Sequence, residues 1–222
     1  STPFWEKIHI PIVCLADKKL IQDRAKVLNK KIKIDILNNL DSANQNKFGV
    51  IQIKEVSKCR ITKPGKLYKS NAAYVLKNLD YGIEQSIKEG IGLVTGPISK
   101  ENIITIDEKF SGHTEYIQKK TLSNDVLMLL GSKKLRVAIA TTHVPLKKVP
   151  QLITKRLIIN KAMILHNELI TKFKIKSPRI KLLGLNPHAG EGGKIGTEER
   201  NILIPAVKEL RKNNINISMP LS

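Results

Sequence analysis

Aromatic residues make up only 4% of the 222 positions, too few to furnish the stacking platforms on which single-stranded nucleic acids are bound. Cysteine is equally scarce. Cys14 and Cys59 allow one bridge at most, which is no disulfide framework in a chain of this size, so a reducing cytoplasm is the expected compartment. No stretch approaches the ~18–20 consecutive apolar residues that a membrane-spanning helix needs, and no charged segment followed by an apolar run opens the chain. No membrane association is therefore expected. Acidic residues are few as well: 19 Asp and Glu face 39 Lys and Arg, for a formal net charge of +20. Such a balance also suits a nucleic-acid-binding protein. However, only 7 of the basic residues are arginine, whose planar fork favours base and phosphate recognition, and the lysines are spread from Lys7 to Lys212 without a run of five. No zinc-finger spacing or ribonucleoprotein motif is present, so a nucleic-acid partner is not expected. The excess of Lys, with many Ile and Asn, reads as the codon bias of an AT-rich genome.

What remains, 41% hydrophobic and 26% charged residues, is the composition of a globular protein with room for one large α/β domain or two small ones. Strand and helix patterns alternate, as in a parallel or mixed sheet covered by helices. His9 to Ala16, Lys31 to Leu37 and Gly49 to Val56 read as strands, with a helix over Lys18 to Leu28. A long helix capped by Ser70 or Asn71 runs to Gly90, and Leu93 to Thr95 reads as a short buried strand. In the second half, Asp125 to Leu130, Leu135 to Thr142, Arg179 to Leu185 and Asn216 to Met219 read as strands. One helix runs from Thr154 to about Phe173 and another from Thr197 to Asn213, the latter kinked by Pro205. The sheet pattern pauses near 103–108, dividing the chain into α/β lobes at 1–105 and 106–222.

Three segments carry polar residues that core packing does not explain. His143 closes one strand within ATTHVPL and His188 follows another within GLNPHAGEGG. In α/β sheets the ligand crevice lies beyond the carboxyl ends of strands, so two imidazoles there can converge on a metal ion. A catalytic metal usually takes three protein ligands, and the third is not among these segments. The plainer alternative is that each imidazole caps a turn. In FSGHTEY, His113 and Thr114 stand at an expected helix N-terminus, where free N–H groups and the dipole favour a phosphate or carboxylate; Thr114 as an ordinary cap is the alternative. His9 and His166 read as ordinary surface or packed histidines. The run Gly190 to Gly196 (GEGGKIG) matches neither the dinucleotide fingerprint nor the phosphate-loop pattern, and is expected to give His188 a mobile, close-approaching backbone.

Val94 to Lys100 (VTGPISK), Ser111 to Tyr116 (SGHTEY), Ala140 to Leu146 (ATTHVPL), Pro178 to Ile180 (PRI) and Gly184 to Glu199 (GLNPHAGEGGKIGTEE) resemble, in order and spacing, segments of the 4-hydroxythreonine-4-phosphate dehydrogenases. The resemblance covers nearly the whole chain and is strongest from Gly92 onward. It implies an isocitrate/isopropylmalate dehydrogenase-like fold, two α/β lobes with a cleft between them. It also implies NAD- or NADP-dependent oxidation of 4-phosphooxy-L-threonine, followed by decarboxylation to 3-amino-2-oxopropyl phosphate in pyridoxal 5'-phosphate biosynthesis. By that resemblance His143 and His188 bind a divalent metal (zinc, magnesium, manganese or cobalt), His113 and Thr114 bind substrate, and the protein is a homodimer with the metal site at its interface. The family also has a preceding strand and glycine-rich turn, and a following part with the third metal histidine and most cofactor contacts. Neither is in this sequence, so the 222-residue piece alone is expected to be inactive. Two other readings are a non-catalytic remnant of the family and a basic nucleic-acid-binding protein on its scaffold, the latter betrayed by steeply salt-dependent binding.

Overall fold

A computed structural model describes residues 8–60, 62–132 and 134–222; the first seven residues of the expected first lobe lie outside the described ones. The chain divides into two compact units, Ser1–Ser123 and Asn124–Ser222. This division lies beyond the pause at 103–108 because Phe110, Tyr116 and Ile117 pack into the core of the first unit with Leu79, Ile83 and Ile103.

The first unit holds a parallel sheet of β1 (Val13–Leu15), β2 (Lys33–Ile36) and β3 (Val50–Lys54), in the order β1-β3-β2. Ile53 in the central strand is fully buried. The apolar run from His9 makes a shorter strand than its pattern suggests. Asn46 takes up the backbone groups that a neighbouring strand would otherwise satisfy: its Nδ2 donates to the Ile8 and Ile10 carbonyls at 2.9 Å, and its Oδ1 accepts from Ile12 N–H at 2.9 Å. The pairing with β3 begins only at Val13.

Helix α1 (Lys18–Val27) starts at Asp17, which is 4% exposed. Its Oδ1 accepts from Leu20 N–H at 3.0 Å and its Oδ2 from Cys59 N–H at 3.1 Å. Burial pushes this carboxyl up, but the two N–H donors and the nearby Lys58 charge outweigh it and hold it below the usual 3.8. Asp17→Ala is expected to cost about 1–2 kcal/mol at neutral pH, the loss of a helix cap. Because the folded-state pKa is lowered, this stabilisation is complete above 3.8 and is lost as pH falls through the lower folded value. Urea titrations of both proteins should therefore converge at the acid end; a constant difference would show that the carboxylate charge plays no part.

Helix α2 (Ala72–Glu89) ends at Gly90 in the left-handed conformation, as the sequence pattern requires. Its N-terminus differs from expectation. Asn71 makes no side-chain cap, since its Oδ1 accepts from Arg60 N–H instead. Gly82 lets the helix approach its neighbours: a methyl group there would lie 2.8 Å from Leu93 and 3.2 Å from Leu15. Leu93 to Thr95 forms no strand. Leu93 packs against the α2 core while Val94 is 95% exposed, so the apolar run has one buried anchor and no ladder partner. Two short helices follow, α3 (Lys100–Ile104) and α4 (His113–Lys120).

In the second unit the runs read as separate strands form one antiparallel hairpin, β4 (Met128–Gly131) with β5 (Arg136–Ile139). Ser132 closes the turn, its N–H donating to the Leu135 carbonyl at 2.7 Å and its Oγ accepting from Leu135 N–H. After a short helix α5 (Val149–Leu152) comes α6 (Lys155–Thr171), capped by Thr154 Oγ1, which accepts from Leu157 N–H at 3.1 Å. The segments read as strands at 179–185 and 216–219 form no ladder: isolated parallel bridges pair Ile180 with Ile217 and, just past the second segment, Leu183 with Leu221, and Ser218 Oγ accepts from Leu182 N–H at 3.0 Å. The break expected at Pro205 is taken up by a π turn, Glu199–Leu203, leading into α7 (Ile204–Lys212) with the proline in its first turn, where no N–H is missed. Helix α7 packs on α6 through Val207 and Leu210, both fully buried, and Ala162. Among the described residues no helix is long and apolar enough to cross a membrane.

Candidate functional site

In the first unit, His113 and Thr114 are the first two residues of α4, after Gly112. Thr114 is therefore not the cap. The N-cap position is glycine, which makes no side-chain cap, and both His113 and Thr114 are half-buried. The backbone at Gly112 runs close to two charged side chains: a methyl group there would lie 3.1 Å from Glu115 Oε2 and 3.5 Å from Lys100 Nζ. Lys100, the last residue of VTGPISK, thus brings a positive charge beside the α4 N-terminus, a neighbour the sequence reading did not identify. The helix is anchored from its other side. Tyr116 Oη donates to Asp80 Oδ1 of α2 at 2.6 Å, Lys120 pairs with the same oxygen at 2.9 Å, and the Phe110 and Tyr116 rings lie 5.3 Å apart. An uncapped helix N-terminus with a lysine nearby attracts an anion.

In the second unit, His143 lies four residues beyond β5 and is exposed. The strand-end argument does not carry over to it unchanged, because β5 belongs to an antiparallel hairpin. His188 lies in a turn over Pro187–Gly193 and is also exposed. The two share one backbone property: His143 has φ 55° and His188 φ 53°, left-handed values that cost non-glycine residues free energy and gather at functional positions. Around His188 the conformation is sustained, with Ala189, Gly190, Glu191 and Gly192 at φ 51°, 78°, 47° and 68°.

The two residues that lead into that turn are held by hydrogen bonds to one carboxylate. Glu199, 3% exposed, accepts from Leu185 N–H at 2.8 Å and Asn186 N–H at 2.7 Å on Oε1, and from Asn186 Nδ2 at 3.0 Å on Oε2. Burial alone raises its pKa, but the Asn186 side-chain and backbone donors, with Leu185 N–H, outweigh that and hold it below the usual 4.5. Asn186 also donates to Glu198 Oε2 at 2.8 Å, and Gly196 packs directly against the Asn186 side-chain amide. The sequence reading missed Glu199. The available signal was an acidic residue two places into a helix that already had Thr197 at its start.

The remaining histidines stay outside these clusters. His9 is exposed, and His166 lies in α6 with its Nδ1 enclosed and unpartnered. Among the described residues, no three His, Cys, Asp or Glu side chains stand together as a metal ion would require. His143 and His188 are donors of the right kind for a divalent metal but too few to hold one.

A family model described as pyridoxal phosphate biosynthetic protein PdxA matches residues 7–222. The chain is 42% identical over 220 residues to 4-hydroxythreonine-4-phosphate dehydrogenase of Neisseria meningitidis serogroup A, covering 96% of this chain and 66% of that protein. It is 40% identical over 213 residues to the protein of the same name from Colwellia psychrerythraea, with 96% and 65% covered. The chain therefore spans just under two thirds of the length of these relatives. The mixed α/β fold matches the crystal structure of 4-hydroxythreonine-4-phosphate dehydrogenase from Burkholderia phymatum, with a TM-score of 0.86 at 26% identity, over 99% of this chain and 67% of that one. The Klebsiella pneumoniae protein of that name shares the fold, with a TM-score of 0.87 at 22% identity over 96% of this chain and 66% of that one. A match that leaves only the first six residues outside it establishes that this chain belongs to the PdxA family of pyridoxal phosphate biosynthetic proteins.

Proposed function

We propose that the complete protein carrying this chain is a dehydrogenase of pyridoxal 5'-phosphate biosynthesis, acting on 4-phosphooxy-L-threonine in the cytoplasm. The C3 hydrogen leaves as hydride to NAD or NADP while the C3 hydroxyl proton is lost, giving 2-amino-3-oxo-4-(phosphooxy)butanoate. The bond to the carboxylate then breaks, its electron pair passing towards the 3-oxo group as carbon dioxide leaves, and the enolate so formed takes up a proton at C2 to give 3-amino-2-oxopropyl phosphate. A two-lobed, isocitrate dehydrogenase-like arrangement and a homodimer belong to the same reading.

The observation that carries it is the state of the two motif histidines: His143 and His188 are both exposed, and both are held at left-handed φ values. Left-handed backbone at a non-glycine residue is uncommon and gathers at functional places, so its coincidence with exposure at both motif histidines supports a binding role for them. In this reading they contribute to a divalent-metal site of zinc, magnesium, manganese or cobalt that further ligands complete. When bound, such an ion supplies polarisation of the substrate's C3 oxygen. His113 and Thr114 bind substrate at the α4 N-terminus, where free N–H groups and Lys100 favour one of its anionic groups.

The test uses the complete protein, freed of metal and given 4-phosphooxy-L-threonine with NAD or NADP and each of the four ions in turn. Reduced nicotinamide is expected to accumulate with an equal amount of carbon dioxide in at least one combination. No reduced cofactor in any of them would reject the activity.

A further inference from the structure

We infer that Glu199 is the positioning residue for His188, presenting its imidazole by holding the left-handed turn from the segment before it. The inference rests on the proposed role of His188 as a ligand-binding histidine. A carboxylate 3% exposed is costly to bury unless hydrogen-bonded donors replace the water it loses. Here the donors are Leu185 N–H, Asn186 N–H and Asn186 Nδ2, all on the two residues that lead into Pro187 and His188. The carboxylate therefore fixes the entry of the turn at three points.

The same carboxylate also bounds the turn from inside. A methyl group on Gly184 would lie 3.3 Å from Glu199 Oε1, and one on Gly190 would lie 2.7 Å from Oε2. Glycines thus occupy the places on either side of His188 where the backbone runs against the carboxylate. His188, Ala189 and Glu191 each pay for a left-handed backbone, so without an external hold the turn would relax to right-handed or extended conformations and carry the imidazole with it. Glu199 also lies in the π turn Glu199–Leu203. A π turn displaces a residue from the register of a regular helix, a distortion that often marks functional places. It touches no substrate in this reading and acts through the turn.

The experiment compares Glu199→Ala, Glu199→Gln and Asn186→Ala with the unaltered complete protein, reading hydrogen exchange of the 188–193 amides and, separately, cobalt binding by calorimetry. Glu199→Gln keeps an acceptor for the two backbone N–H groups and loses only the one facing Asn186 Nδ2, so a graded response is expected. Exchange in the turn should rise at least ~10-fold in Glu199→Ala and less in Glu199→Gln and Asn186→Ala, while the α6 and α7 amides keep their protection. Cobalt affinity should fall by ~10–100-fold, the usual cost of losing a residue that orients a ligand. Unchanged turn exchange in the two milder variants, or an equal rise throughout α6 and α7, overturns the inference. His188→Ala serves as the separate control: if it binds cobalt as tightly as the unaltered protein, the ligand reading of His188 fails, while selective loosening of the turn still supports Glu199 as its holder.

Discussion

Replacing either His143 or His188 by alanine in the complete protein is expected to weaken divalent-metal binding by more than ~100-fold, beyond what loss of an orienting neighbour costs, and to remove turnover with it. The argument is one of donor number. Imidazole nitrogen is a strong ligand for the borderline metals, and a three-ligand site that loses one ligand keeps neither affinity nor geometry. The two substitutions should cost little stability, since both side chains are exposed, beyond the small preference of histidine over alanine for the left-handed backbone. Metal titration and nicotinamide reduction on the same preparations decide the matter. A variant that keeps both would remove that histidine from the ligand set, and one that loses both together with its cooperative unfolding transition would assign it a structural role.

Gly190→Ala is expected to destabilise the protein by about 2–5 kcal/mol, combining a left-handed alanine with overpacking. The backbone there has φ 78°, and the added methyl would lie 2.7 Å from Glu199 Oε2 and 2.8 Å from the Gly196 carbonyl. Neither neighbour has an easy way out: Glu199 is held by three hydrogen bonds and the Gly196 oxygen is backbone. Two residues away, Gly192 provides the control. It has φ 68° with nothing within 4 Å of the added methyl, so Gly192→Ala should cost only the conformational term, about 1–2 kcal/mol. Urea midpoints of the two variants separate the contributions. Equal losses would mean that packing against Glu199 does not constrain the turn.

Short-range chemistry made much of the fold legible. Gly90 had to end α2 because a left-handed residue follows that helix, and Thr154 had to open α6 because its hydroxyl replaces a missing helical acceptor. The placement of His143 and His188 just beyond apolar segments, and of His113 and Thr114 at a helix start, was equally local. Elsewhere, the partner lay far along the chain. The apolar pattern from His9 was right for a strand, but Asn46, more than thirty residues away, captures its first backbone groups. Leu93 to Thr95 has the composition of a buried strand and, among the described residues, no strand pairs with it.

By itself the sequence determined the alternation of strands and helices, the cap at Thr154 and the stop at Gly90, the motifs that mark the family, and the kinds of side chain available for chemistry, because each depends on residues close together in the chain. Only the tertiary structure decided that β4 pairs antiparallel with β5, that the break before Pro205 becomes a π turn, and that a buried Glu199 grips the turn bearing His188. Those outcomes depend on which distant backbone groups meet. An amide or carbonyl looks the same in every sequence until folding chooses its partner.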